Sequence, residues 1–187
     1  MKYLLYAAIL GFAFWLVSEV LEIVQAGYSP PVYYLTAAYH LFAGLGVWGL
    51  YKAQTPDKNV FNLAGAALTS LAYLSITLFP LQVMWSGLGF SDYLDATPVY
   101  KLLGLAWIIG MLLFSVSVIR TGFYPKWAGV IMVITTVVFA ASRPLGLPML
   151  LVNVNDIILS VTVIYISFIG LKAVAPSTPG ANVDTQP

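Results

Sequence analysis

Six long apolar stretches alternate with short polar connections along this chain. They lie at about 3–23, 32–51, 59–79, 98–118, 125–141 and 148–171. Each is continuously apolar over roughly 20 residues, the length that a helix needs to cross a bilayer, whereas the strands of a membrane barrel alternate over about 10. The pattern predicts an all-α polytopic membrane bundle of six transmembrane helices, with residues 1–172 as one domain. Residues 173–187 are rich in Pro, Ser, Thr and Gly, and we expect a disordered cytoplasmic tail.

The composition strengthens the membrane prediction and removes several classes of function. The chain is 60% hydrophobic and only 8% charged, whereas a soluble domain carries about 25% charged residues. A net charge of +1 gives no basic patch, so nucleic acid is excluded as a partner. Cysteine is absent, which excludes disulfides, thiol catalysis and iron–sulfur clusters.

The distribution of basic residues predicts the orientation. If all six stretches span and the N-terminus is cytoplasmic, six basic residues lie on the cytoplasmic side: Lys2, Lys52, Lys58, Arg120, Lys126 and Lys172. Only Lys101 and Arg143 lie on the opposite side, and this bias predicts that both termini are cytoplasmic. The first stretch has an alternative interpretation as a cleavable signal peptide, since Lys2 precedes it and a small-residue cleavage pattern follows it.

Acidic residues and the single histidine gather in the outer half of the predicted bundle. Glu19 and Glu22 are three residues apart and share one helical face. Charged groups at membrane depth are costly, so they indicate proton carriers or ligand-binding groups, with the deeper Glu19 as the stronger candidate. The alternative is that both carboxylates reach the lipid headgroups. His40 is a candidate relay or ligand, or else a histidine hydrogen-bonded inside the bundle.

A second polar group is predicted on the last helix. Asn153 and Asp156 again share a face, and Lys101 and Arg143 are the cations available on the same side. Two interpretations stay open: a structural salt bridge from Asp156 to one of these cations, or a pocket that binds a polar headgroup. The segment 81–97 is predicted as an aromatic loop, either a lid over this pocket or an interfacial cap.

Small residues recur where helices are expected to meet. They are Gly44, Gly46, Gly65, Thr69 and Gly104. Close approach of helix backbones requires such side chains. Trp107, in the middle of its helix, is expected to pack in the core.

These features favour a non-enzymatic role. No nucleotide-binding loop, nucleophile elbow or metalloprotease motif occurs, so no catalytic residue, metal or cofactor is assigned. The best hypothesis is binding of a lipid-like or small amphipathic ligand, or a role as accessory subunit, with a membrane protein partner or a second copy as the expected protein contact. The alternatives are a proton-coupled transporter and a lipid-modifying membrane enzyme that uses a glutamate and His40.

One stretch resembles a known family. Residues 102–142 read helix, then Thr121-Gly122-Phe123-Tyr124-Pro125-Lys126-Trp127-Ala128-Gly129, then helix. This resembles a family of bacterial multi-pass membrane proteins, a domain of unknown function, whose members carry Ser-Gly-Phe-x-Pro-Arg/Lys-Trp-x-Gly between two late helices. Thr121 stands where Ser is usual. The resemblance implies a bacterial inner-membrane protein of the same fold and implies no activity.

Overall fold

The computed structural model describes residues 1–54 and 59–175, without the Ser91 side chain, and all regular secondary structure in these residues is helical. The helices are α1 (Lys2–Gln25), α2 (Pro30–Ala53), α3 (Val60–Ser75), α4 (Phe79–Ser86), α5 (Phe90–Ala96), α6 (Pro98–Thr121), α7 (Lys126–Ser142) and α8 (Met149–Ala173). The all-α prediction is confirmed, and these residues include no strand. Lys58, which was predicted on the cytoplasmic side, and the predicted tail beyond Ala175 lie outside the described residues.

Local sequence explains where the helices begin and end. The Asn59 side chain accepts a hydrogen bond from the Asn62 N–H at 2.8 Å and so caps the start of α3. Gly122 ends α6 in the left-handed conformation, with φ 65°, because glycine has no Cβ to oppose it. Pro98 occupies the first turn of α6, where its missing N–H costs no hydrogen bond.

The prediction was wrong in one region, the end of the third apolar stretch and the loop after it. The helix α3 ends at Ser75, and the predicted loop forms the two short helices α4 and α5. Pro80 directly follows the third apolar stretch in the sequence, and it stands in the first turn of α4. Proline is tolerated in a first turn as readily as after a helix end, so the residue alone does not distinguish the two arrangements.

The six long helices close into a ring in chain order. The helix α1 packs against α2 and α8, and the further neighbours are α2 with α3, α3 with α6, α6 with α7, and α7 with α8. The short helices add to one end of this ring, where α4 packs on α2 and α5 on α6. The ring brings side chains from all six long helices to a common axis.

The surface of the ring is apolar and its interior carries polar groups. On α8, for example, Val154, Ile158 and Val161 are exposed, whereas Asp156 and Ser160 are buried. This is the reverse of a soluble protein, and it is the arrangement that a lipid environment favours. Among the described residues, four helical segments are long and apolar enough to span a membrane: Lys2–Gln25, Val60–Ser86, which joins α3 and α4, Pro98–Thr121 and Met149–Ala173. The chain is therefore that of a membrane protein.

Glycines set the closest helix contacts. A Cβ added at Gly46 of α2 would lie 2.3 Å from the Cα of Ala8 in α1. A Cβ added at Gly65 of α3 would lie 2.5 Å from the backbone nitrogen of Phe114 in α6. Gly104 differs from the prediction, because its added Cβ would meet no atom within 4 Å and its position faces a cavity.

Candidate functional site

A cavity of about 730 Å³ lies on the axis of the ring and is lined by residues from all eight helices. We call it the central cavity. Its wall includes every residue that the sequence singled out for ligand binding, namely Glu19, Glu22, His40, Lys101, Arg143, Asn153 and Asp156. Helices α1, α2, α6 and α8, with the turn after α7, contribute them. The structure thus brings together residues that are up to 137 positions apart in the chain.

The two glutamates of α1 have different surroundings. Trp15 lies one turn before Glu19, and its indole Nε1 donates a hydrogen bond of 2.6 Å to Glu19 Oε1. Glu22 is only 4% exposed, and its Oε1 has no hydrogen-bond partner. The expectation that both reach the headgroups is therefore wrong, because both side chains are buried in the ring. Of the two glutamates, only Glu22 has a buried carboxyl oxygen that accepts no hydrogen bond of ordinary geometry, and the Asn153 side chain is its polar neighbour.

The polar group on α8 faces the same space. Asp156 Oδ1 accepts a hydrogen bond of 3.1 Å from Asn155 Nδ2, which also donates to the Thr135 carbonyl of α7 at 3.0 Å. Asn153 is 1% exposed, and its Nδ2 has no hydrogen-bond partner. Asp156 and Glu22 are close enough to influence each other electrostatically. Acids from α1 and α8 therefore share one region of the central cavity.

The predicted salt bridge from Asp156 to a cation is replaced by a different cluster. Lys101 Nζ and Arg143 Nη2 each lie 2.8 Å from Oδ1 of Asp95, which is on α5. These hydrogen bonds, from Lys101 first and then from Arg143, hold the pKa of Asp95 below its ordinary value. The cluster ties α5 to the start of α6 and the end of α7. Sequence reasoning placed Asp95 in a loop, where nothing marked it as the partner of both cations.

His40 is half-buried on α2 and lines the central cavity beside Thr36, as their four-residue spacing predicts. Its Nδ1 is buried and has no hydrogen-bond partner. Thr36 is already engaged, since its hydroxyl donates to the Val32 carbonyl at 2.8 Å and lies 2.9 Å from the Ser18 hydroxyl of α1. The backbone of Thr36 lies close enough to act on the His40 ring as a hydrogen-bond partner, so a histidine hydrogen-bonded inside the bundle stays a prediction.

Aromatic side chains form a layer across the central cavity. The acids lie between this layer and the short helices α4 and α5. Five successive long helices contribute one ring each: Trp15, Tyr39, Tyr73, Trp107 and Phe139. Neighbouring ring centroids are 4.3, 5.2, 6.0 and 4.9 Å apart in that order. The Tyr39 hydroxyl donates to the Tyr73 hydroxyl at 2.6 Å. We call these five residues the aromatic layer.

Sequence reasoning missed the aromatic layer as a unit. It assigned Trp107 to core packing, and Trp107 is indeed 4% exposed. The available signal was that several helices carry an aromatic residue about one turn or two deeper than a polar candidate, such as Trp15 below Glu19 and Phe139 below Arg143. That signal becomes a layer only when the order of the helices around the ring is known.

A second group of aromatic residues lines the opposite end of the central cavity. Phe90 of α5 stacks on Tyr28, with centroids 5.6 Å apart and planes within 6°, and also contacts Phe79 of α4. Tyr100 of α6 donates a hydrogen bond to Gln82 of α4. The segment predicted as a lid or an interfacial cap thus contributes residues to the cavity wall at this end, and it forms two short helices.

Neither a search for metal-binding clusters nor a comparison with known proteins narrows the function of the site. Among the residues that the structure describes, no three His, Cys, Asp or Glu side chains are placed to hold a metal ion together. The chain matches no family model, and no curated protein or solved structure is significantly similar to it. The site has to be interpreted from its own geometry.

Proposed function

We propose that this protein is a six-span membrane protein that binds a lipid-like or small amphipathic ligand in the central cavity. Both termini lie in the cytoplasm, and the cavity opens toward the outer side. The family resemblance of residues 102–142 favours the bacterial inner membrane as the location.

The basic residues support this topology. Lys2 and Lys126 are the first residues of α1 and α7. The last turns of α2, α6 and α8 carry Lys52, Arg120 and Lys172. Because neighbours in the ring run in alternating directions, these positions share one end, the cytoplasmic end by the positive-inside rule. The helix α7 has 17 residues and is about 26 Å long at 1.5 Å per residue, close to the roughly 30 Å hydrocarbon thickness. The helix α2 has 24 residues, and its tyrosines and His40 make it less apolar than the four strongest spans.

The observation that carries the function is a set of unsatisfied polar atoms facing a roomy aromatic cavity. Four buried polar atoms of the cavity wall make no hydrogen bond of ordinary distance and angle: Glu22 Oε1, His40 Nδ1, Trp107 Nε1 and Asn153 Nδ2. Their polar neighbours belong to the same wall, since Asn153 lies beside Glu22, Tyr73 beside Trp107 and Thr36 beside His40, but none of these contacts has good hydrogen-bond geometry. An unmade hydrogen bond at a buried group costs about 1–3 kcal/mol. A ligand with a polar end and an apolar body would satisfy these atoms and cover the rings. The volume lies within the range of about 300–1,000 Å³ that is common for ligand pockets.

The alternative functions require features beyond this cavity. A proton-coupled transporter needs a path to the cytoplasm, and the aromatic layer occupies that direction with rings at most 6.0 Å apart. A lipid-modifying enzyme needs a carboxylate and His40 on a common substrate atom. An accessory subunit needs a partner surface, for which the apolar groove of about 270 Å³ between α7 and α8 is the candidate.

Native mass spectrometry of the protein in lipid nanodiscs tests the proposal. We expect a copurified small amphiphile on the wild-type protein and its loss from Gly104→Phe, because that side chain would enter the central cavity. Leu102→Phe is the matched control, since Leu102 is 67% exposed on the same helix and does not line the cavity. A bare wild-type protein, or an adduct that Gly104→Phe retains, would contradict the proposal.

A further inference from the structure

We infer that the polar end of the ligand is an organic cation, a protonated or quaternary amine joined to an apolar body. This inference rests on the proposed function and adds the chemical class of the ligand. It follows from the distribution of charge in the central cavity, from one unpartnered carboxylate oxygen and from the aromatic wall.

The deep part of the central cavity holds acids, whereas its basic residues lie near α5. Glu19, Glu22 and Asp156 face the cavity from α1 and α8 and influence one another electrostatically. The basic residues of the wall, Lys101 and Arg143, both bind the carboxylate of Asp95. A ligand that enters past this cluster therefore meets acidic groups, and a positive ligand would complement their carboxylates.

Glu22 gives the second, independent indication. One oxygen of Glu19 accepts a hydrogen bond from Trp15, and one oxygen of Asp156 accepts one from Asn155. Glu22 Oε1 accepts none, although its side chain is 4% exposed and lines the cavity. A buried carboxylate is costly unless hydrogen bonds or an opposite charge compensate it. An ammonium group placed against this oxygen supplies both.

The aromatic layer indicates an organic cation rather than a metal ion. The faces of Trp and Tyr attract cations through their quadrupoles, and this is how proteins recognise quaternary ammonium groups. Trp15 and Tyr39 stack at 4.3 Å next to the acids, and Tyr73 and Trp107 continue the wall. Hard divalent ions instead prefer six or more oxygen ligands. Large organic cations suit a wall made mainly of rings with a few carboxyl groups.

Three probes that share the same octyl tail distinguish the effect of the ligand's charge on binding from the effect of its apolar body. Isothermal titration of the full-length protein in nanodiscs measures saturable binding of octyltrimethylammonium, octanesulfonate and octyl glucoside, with empty nanodiscs subtracted. We expect the cation to bind at least about tenfold more tightly than the anion. Glu22→Gln should weaken the binding of octyltrimethylammonium about tenfold and leave the binding of octyl glucoside unchanged.

Two further variants keep the test decisive. Asp156→Asn should reproduce the selective loss, and it replaces Glu22→Gln if that variant does not fold. Asp92→Asn removes an exposed acid of α5 outside the cavity and should change nothing. Absence of saturable binding for all three probes would overturn the proposed function and this inference together. Equal or tighter binding of the neutral or anionic probe, or a cation preference that survives the loss of Glu22 and Asp156, would overturn this inference alone.

Discussion

The contact between α1 and α2 gives a prediction whose size follows from the structure. Gly46→Ala and Gly104→Ala make the same chemical change inside a helix. At Gly46 the new Cβ would lie 2.3 Å from the Cα of Ala8, whereas at Gly104 it would meet nothing within 4 Å. Carbon atoms pack at about 3.5–4.0 Å, so α1 and α2 must separate by at least about 1 Å in the first variant.

The two variants share the gain in helix propensity, roughly 0.5–1 kcal/mol on replacing a mid-helix glycine by alanine. Only Gly46→Ala adds the cost of overpacking, typically about 1–3 kcal/mol. We therefore expect Gly104→Ala to be neutral or stabilising, and Gly46→Ala to be less stable than Gly104→Ala by about 1–3 kcal/mol. Unfolding by SDS in mixed micelles, followed by circular dichroism, measures both free energies. Equal stability of the two variants would refute the packing of α1 against α2.

Two further predictions concern the ends of the central cavity. Asp95→Asn should remove the ion pairs to Lys101 and Arg143 and speed hydrogen exchange in α5, whereas Asp92→Asn on the same helix should not; equal exchange would contradict the cluster. The pKa of Asp95 is lowered in the folded protein, so its ion pairs contribute their full stabilisation above the ordinary pKa of 3.8. This stabilisation is lost as the pH falls through the lower pKa of the folded state, and α5 of the wild-type protein should then also exchange faster. Tyr39→Phe should destabilise the protein by roughly 0.6 kcal/mol and at most about 1.7 by loss of its bond to Tyr73. Tyr3→Phe, at an 87% exposed position, should leave the stability unchanged. An equal loss of stability in Tyr3→Phe would show that the Tyr39–Tyr73 hydrogen bond does not explain the effect of Tyr39→Phe.

Much of the helical structure was predictable because apolar length is a local property. The fourth apolar stretch was expected at 98–118 and forms α6, Pro98–Thr121. Pro98 and Gly122 mark its ends through backbone restrictions that act within a residue or two. The region after Ser75 was not predictable in this way, because its short helices α4 and α5 depend on aromatic contacts such as Phe79 with Phe90.

The site was predictable as a set of residues, although its pairings were not. Glu19 with Glu22 and Asn153 with Asp156 share helical faces, so their joint direction follows from a spacing of three. Which basic residue pairs with which acid depends on the order of the helices around the ring and on the position of α5. Asp95 of α5 forms ion pairs with both Lys101 and Arg143. The aromatic layer likewise needs the ring closed before its residues become neighbours.

Chemical labelling of one cavity position tests the central claim most directly. The chain contains no cysteine, so Gly104→Cys gives a single reactive site in open space on the cavity wall. Right-side-out vesicles are treated with two impermeant thiol reagents of opposite charge, trimethylammonium-ethyl and sulfonatoethyl methanethiosulfonate. Ala96→Cys, at an exposed position of α5, supplies the intrinsic ratio of their rates.

An outward-opening cavity that prefers cations predicts modification of Gly104→Cys from outside, with a cation-to-anion rate ratio above that of Ala96→Cys. Octyltrimethylammonium should slow the reaction at Gly104→Cys and leave Ala96→Cys unaffected. No modification from outside would contradict the outward opening, and a ratio equal to or below that of Ala96→Cys would contradict the preference for a cation.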